Sequence, residues 1–197
     1  MNKKLTFTSL AAMALAIGAG SYVLMSHDSA TASTSSTSNV NMPKEASEHI
    51  LPGGASSLNE TFQDWRLICR QMTGGSKCAV IQQEFDNKTH QRILSVELSP
   101  SSNQMKGVMV LPFGVALNKG ASLIADGKTV GTNQPFSTCI PAGCLVPLTL
   151  DQKQVGDLQS AQKVEVKFTS IAGQDISLPL SNKGLDKATR RLNLLSK

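Results

Sequence analysis

The residues with the greatest chemical potential are four cysteines, spaced C-x8-C (Cys69, Cys78) and C-x4-C (Cys139, Cys144). A zinc knuckle generally needs C-x2–4-C with a second close pair or histidines, and the longer spacing does not supply one. A thioredoxin-like redox site needs C-x-x-C at a helix start, which this chain lacks. His27, His49 and His90 are the only histidines. The first two precede the folded region, so a Ser-His-Asp or Cys-His site would have to use His90, beside a turn. No Gly-x-Ser-x-Gly elbow and no phosphate-cradling loop occurs. Glu84, Asp86 and Glu97 are carboxylates that glycosidic chemistry would need to bring together in space. No catalytic residue, metal site or cofactor is therefore assigned, and the cysteines are read as disulfides.

That reading needs export, because disulfides persist in oxidising compartments. The N-terminus supplies it. Met1-Asn-Lys-Lys4 is basic, and Leu5 to Met25 is apolar or small. Ala30-Thr-Ala32 is a small-x-small cleavage site, so residues 1–32 read as a secretory signal peptide. The apolar run is also long enough for an uncleaved N-terminal anchor, the alternative, which would give membrane association through the N-terminus. Lys3 and Lys4 keep the N-terminus inside in both cases. The remainder is exported to the periplasm or cell envelope, or onward to the surface or medium. Pairing nearest neighbours closes short loops, where the alternatives close rings of roughly seventy residues at about 2 kcal/mol greater cost for the first bond formed. Cys69–Cys78 and Cys139–Cys144 are therefore the expected bridges.

The 197 residues are 40% hydrophobic and 17% charged, with 19 Lys+Arg against 14 Asp+Glu. This mild basicity is scattered, without the clustered face of a nucleic-acid binder. Residues 33–60, rich in Ser, Thr, Asn, Pro and Gly, read as a disordered linker. Residues 61–197 read as one β domain.

Many short stretches with turn signals predict an all-β antiparallel sandwich of about ten strands. A hairpin about Thr73-Gly74 sets Cys69 against Cys78 and Leu67 against Val80, with Trp65 in the core. Leu94, Val96 and Leu98 share one face. Val108-Met-Val-Leu111 reads as a strand buried on both faces, resumed at Val115-Ala-Leu117. Asp126-Gly127 is the strongest hairpin-turn dipeptide. Asp151 caps a short helix over about 151–160. Val164, Val166 and Phe168 point inward. Pro179 marks a sheet edge, and a terminal helix covers about 185–195. Two turns are candidate contact surfaces: Asp126 and Gly127 in their hairpin, and Ile140, Pro141, Ala142 and Gly143 inside the second cysteine pair.

Taken in order, Trp65-x3-Cys69, Cys78-x3-Gln82, Leu111-Pro-x-Gly-Val-x-Leu117-x2-Gly120, Asp126, Cys139-x3-Gly-Cys144 and Leu180-Ser-x2-Gly184 resemble the invasion-associated locus B family of exported bacterial proteins. The likeness runs over residues 62–190. Leu185 stands where the family pattern has an aromatic. The resemblance implies an envelope or secreted protein, linked in some members to entry into host cells, with no enzymatic activity to carry over. The expected role is that of a non-enzymatic binding module for a host-cell or envelope component, whether protein, lipid or glycan. The alternatives are a periplasmic structural or stress protein with no host target, and a carboxylate-based hydrolase.

Overall fold

The computed structural model describes residues 51–196. The strands in chain order are β1 Ser57–Phe62, β2 Trp65–Met72, β3 Gly75–Phe85, β4 Arg92–Ser101, β5 Gln104–Leu111 and β6 Ala121–Ala125. There follow β7 Lys128–Gln134, β8 Thr138–Ile140, β9 Gly143–Asp151, β10 Val164–Thr169 and β11 Asp175–Pro179. Helix α1 is Gln152–Ser160 and α2 is Leu185–Leu195. The strands form a seven-stranded sheet, β1-β2-β3-β4-β5-β9-β8, and a four-stranded sheet, β11-β10-β6-β7. All pairings are antiparallel. The all-β fold expected from the sequence is therefore observed, with eleven strands rather than about ten.

Period-two alternation decides which face each strand buries. Trp65, Leu67 and Cys69 of β2, Val80 of β3, Leu94, Val96 and Leu98 of β4, and Val146, Leu148 and Leu150 of β9 are all buried. The smaller sheet answers with Leu123, Val164, Val166 and Phe168. Burying each large side chain is worth roughly 1.5–3 kcal/mol. The predicted hairpin register holds, with Cys69 opposite Cys78 and Leu67 opposite Val80. Trp65 is 1% exposed, and its indole N–H donates to the Ser181 carbonyl at 2.8 Å.

Three expectations need correction. Residues 51–60 are not linker: Pro52–Gly54 make a 3-10 turn, β1 begins at Ser57, and Leu51 is 2% exposed. Leu58 and Phe62 alternate toward the core and pair with Cys69 and Trp65, which offsets the cost of ordering an otherwise polar segment. The domain therefore starts ten residues earlier than Thr61. Residues 1–32 and 33–50 lie outside the described residues. Second, only Met109 and Leu111 of the run Val108–Leu111 are buried, because among the described residues no second layer covers the outer face of β5. Third, Val115 makes one bridge to Ser170 and Leu117–Lys119 form a 3-10 turn, as the chain crosses between sheets there instead of extending.

Helix α1 begins as predicted. The Asp151 carboxylate accepts from Gln154 N–H at 2.8 Å, and the Gln154 side chain accepts from Asp151 N–H at 2.9 Å. Gly156 sits inside this helix with open space where a Cβ would stand. Gly156→Ala should therefore stabilise the fold by about 0.5–1 kcal/mol, read from urea or thermal unfolding. Helix α2 packs Leu185, Ala188, Thr189 and Leu192 against the larger sheet. Arg191 makes two hydrogen bonds to the Glu60 carboxylate of β1, both 2.9 Å, and this carboxylate raises the proton affinity of the guanidinium.

Candidate functional site

Both expected bridges are present, Cys69–Cys78 and Cys139–Cys144. The first joins neighbouring strands β2 and β3, and the second joins β8 to β9. They differ in exposure: Cys69 and Cys78 are buried, whereas Cys139 is exposed and Cys144 buried.

The turn held by Cys139–Cys144 shows Ile140, Pro141 and Ala142 to solvent, with Gly143 buried. It abuts the end of β5, where Leu111 pairs with Cys144. Its Ala142 carbonyl accepts from the Arg92 guanidinium at 2.8 Å, and Arg92 pairs with Phe85 at the end of β3. Beyond Leu111 the chain enters Pro112-Phe113-Gly114. The Gly114 carbonyl accepts from Ile171 N–H, and Ala116 N–H donates to Thr169 O, each at 2.8 Å. Leu117 follows directly. These contacts bring the segments that carry Phe85, Ile140, Phe113, Leu117 and Ile171 to one end of the sandwich. All five are exposed, Phe113 at 64% and Ile171 at 78%. They are five of the seven large apolar side chains exposed among the described residues. The other two, Met72 and Leu194, lie by the β2–β3 turn and the end of α2, where Ser76 Oγ donates to the Leu195 carbonyl.

The second candidate turn lies elsewhere and is built differently. Asp126 and Gly127 both have positive φ, 48° and 79°, the two-residue turn that matches strand twist. The Asp126 carboxylate accepts from Gln162 N–H at 3.2 Å and Lys163 N–H at 2.9 Å. It thereby pins the entry to β10, whereas Ile171 lies past the other end of that strand. The two candidate surfaces therefore do not come together, and the Asp126 carboxylate is engaged in holding the fold.

The carboxylates do not assemble an acid–base pair. Glu84 shares the inner face with its partner Leu94, while Glu97 lies exposed on the outer face opposite Val108. Asp86 bonds Lys88 N–H, Thr89 N–H and Thr89 Oγ1 at 2.7–3.0 Å, and the Thr89 donors hold its proton affinity down. Lys163 and the Ser177 hydroxyl lower that of Glu165. A general acid needs the opposite shift. His90 is exposed, with positive φ in the Asp86 turn. Among the described residues, no group of three or more His, Cys, Asp or Glu side chains is placed to hold a metal ion.

Of the rim, sequence reasoning named only Ile140 and missed Phe85, Phe113, Leu117 and Ile171, of which Phe113 and Ile171 are the most exposed. Each of these two is an apolar residue inside a Gly- or Pro-marked loop; taken singly such a side chain is ordinary, and only their grouping in the fold singles them out.

Residues 65–193 match the family model described as Invasion associated locus B (IalB) protein. The chain belongs to this family. It is 41% identical over 149 residues to an Invasion protein B homolog of Brucella abortus, covering 75% of this chain and 86% of that protein. It is 31% identical over 151 residues to Invasion protein B of Bartonella bacilliformis, covering 75% and 81% respectively. The crystal structure of invasion associated protein b from Bartonella henselae superimposes with a TM-score of 0.65 at 25% identity, covering 71% of this chain and 97% of that one.

The residues that carry the family resemblance hold this scaffold together. Trp65 reaches Ser181, Cys69 and Cys78 are bridged, and Asp126 ties two loops. Gln82 is 2% exposed and donates from Nε2 to Glu84, while its Oε1 has no partner among the described residues. In this chain, then, the family signature largely records how the sandwich is built; of the apolar rim, Leu117 is a specified residue, Phe113 and Ile140 fill open positions within its elements, and Phe85 and Ile171 lie between them.

Proposed function

We propose that this protein is an exported envelope or secreted factor, associated with invasion, that acts by binding and not by catalysis. Its contact surface is the apolar rim of Phe85, Phe113, Leu117, Ile140 and Ile171. The supporting observation is their placement: monomeric proteins scatter such side chains singly, whereas five of the seven exposed here are carried by segments at one end. The Cys139–Cys144 clasp braces the rim, so little ordering cost falls on binding. The partner is a host-cell or bacterial-envelope component. The names of the Brucella and Bartonella relatives favour the host side.

The full chain should bind host-cell membrane or bacterial-envelope fractions. A Phe113→Ser/Ile171→Ser variant should lose about tenfold or more of that binding with its melting temperature nearly unchanged, since exposed aromatic and apolar anchors dominate such contacts. Equal binding by the variant, or none by the parent, refutes the rim as the contact surface. Protease shaving of intact cells should cleave the protein. Retention inside the envelope without host binding would instead favour a periplasmic structural role.

A further inference from the structure

We infer that the edge of β1, which no other described strand pairs, is a self-association surface, on which a second copy of the chain pairs its own β1 antiparallel about a twofold axis at Asn59. Backbone geometry carries this. Gln71 N–H donates to the Ser56 carbonyl at 2.9 Å. The Cα atoms of Cys69 and Cys78 are 4.0 Å apart, the close spacing of an antiparallel pair that exchanges no backbone hydrogen bonds. The N–H and C=O of Cys69 and Gln71 therefore face β1. In turn, Leu58, Glu60 and Phe62 direct theirs toward β2. Alternation leaves the N–H and C=O groups of Ser57, Asn59 and Thr61 pointing away from the sheet, and these three residues are exposed.

Such an edge invites another strand, and folds ordinarily blunt it. The other three edges are blunted. Strand β8 has three residues. Strand β11 ends in Pro179. The β6–β7 ladder shifts register between Ala121 and Leu123, and Gly131 of β7 has φ of 74°. Strand β1 has six residues, no proline, glycine or lysine, and an unbroken register with β2.

The edge is also self-complementary. With the axis at Asn59, Ser57 faces Thr61 of the second copy and Asn59 faces Asn59, so all three outward residues form hydrogen-bonded pairs at once. Leu58 then faces Glu60 of the second copy, and Glu60 keeps Arg191 of its own chain. Sliding the register two residues one way sets Glu60 against Glu60, a like-charge pair. Sliding it the other way sets Leu58 against Leu58 and leaves Ser57 and Asn59 alone to pair. An isologous dimer results, with one sheet running through both copies.

The test uses the full chain. Its light-scattering mass should rise from monomer toward dimer with concentration, and Asn59→Lys should hold it at monomer. In hydrogen exchange, the amides of Ser57, Asn59 and Thr61 should gain protection as concentration rises, while those of Leu58 and Glu60 are protected throughout. Ser57→Cys chains mixed with Thr61→Cys chains should cross-link about tenfold faster than Ser57→Cys chains alone, because pairing raises their effective concentration. A monomer at every concentration overturns the inference. So does concentration-independent protection of the edge amides, which would place some other strand there, or cross-linking indifferent to the pairing of variants.

Discussion

Gly184→Ala should cost about 4 kcal/mol, near the upper range for a single substitution. Gly184 is the N-cap of α2 and has φ of 87° and ψ of −3°. Left-handed backbone costs a residue with a Cβ about 1–2 kcal/mol. The larger contribution is contact. A Cβ here would stand 2.0 Å from the Phe62 carbonyl oxygen and 2.6 Å from its carbon. Those are backbone atoms of β1, so no rotamer change relieves them. Either the β1–β2 turn or the start of α2 must move, and that helix seats Leu185, Ala188 and Leu192 in the core. Gly173→Ala is the control: φ is 78°, but nothing lies within 4 Å of its Cβ position, so it should lose only about 1 kcal/mol. For a domain of this size the difference amounts to roughly 6–12 °C in melting temperature. If both variants melt together, the close approach of β1 does not limit how α2 seats.

Gly184 also shows what was legible in the sequence and what was not. Its position in Leu180-Ser-x2-Gly184 marked it as part of the family pattern, yet its contact with Phe62 spans more than a hundred residues and left no local trace. Local physics was readable. The Asp126-Gly127 turn, the Asp151 cap and the register of Cys69 against Cys78 each depend on residues close in sequence. Strand β1 was not readable, because Ser57-Leu-Asn-Glu-Thr61 lacks β-branched apolar residues and gains its place only from β2 and from Arg191. The role of Asp126 was half readable: its turn was predicted, but its bonds to Gln162 and Lys163 come from a distant segment. The rim escaped for a related reason. The loops that carry Phe113 and Ile171 come side by side only because the chain crosses between sheets at Val115 and Ser170.

The two disulfides should separate under mild reduction of the folded protein, and by a wide margin. In the chain-entropy account, a ten-residue ring contributes about 2.7 kcal/mol and a six-residue ring about 2.2 kcal/mol, so loop length scarcely distinguishes them. Burial does. Cys69 is 0% and Cys78 8% exposed, on the sheet face that α2 covers, so a thiolate reaches them only when that packing opens. Cys139 is exposed on the three-residue edge strand β8, open to attack in the native state. Alkylation followed by mass spectrometry should therefore label Cys139 and Cys144 first, and Cys69 and Cys78 only when denaturant is added. Replacing the pairs with alanine should follow the same order. Cys139→Ala/Cys144→Ala should cost about 2 kcal/mol. Cys69→Ala/Cys78→Ala should cost about 4 kcal/mol, since two buried sulfurs and their packing vanish with the ring. Reduction leaves the sulfurs in place but opens both rings, a loss of about 5 kcal/mol that rivals the whole stability of many domains. A chain held in a reducing cytosol would then fold poorly, which ties this sandwich to export. Labelling of all four cysteines at one rate in native buffer would show that α2 does not shield the inner bridge, and unchanged melting after full reduction would break the link from fold to compartment.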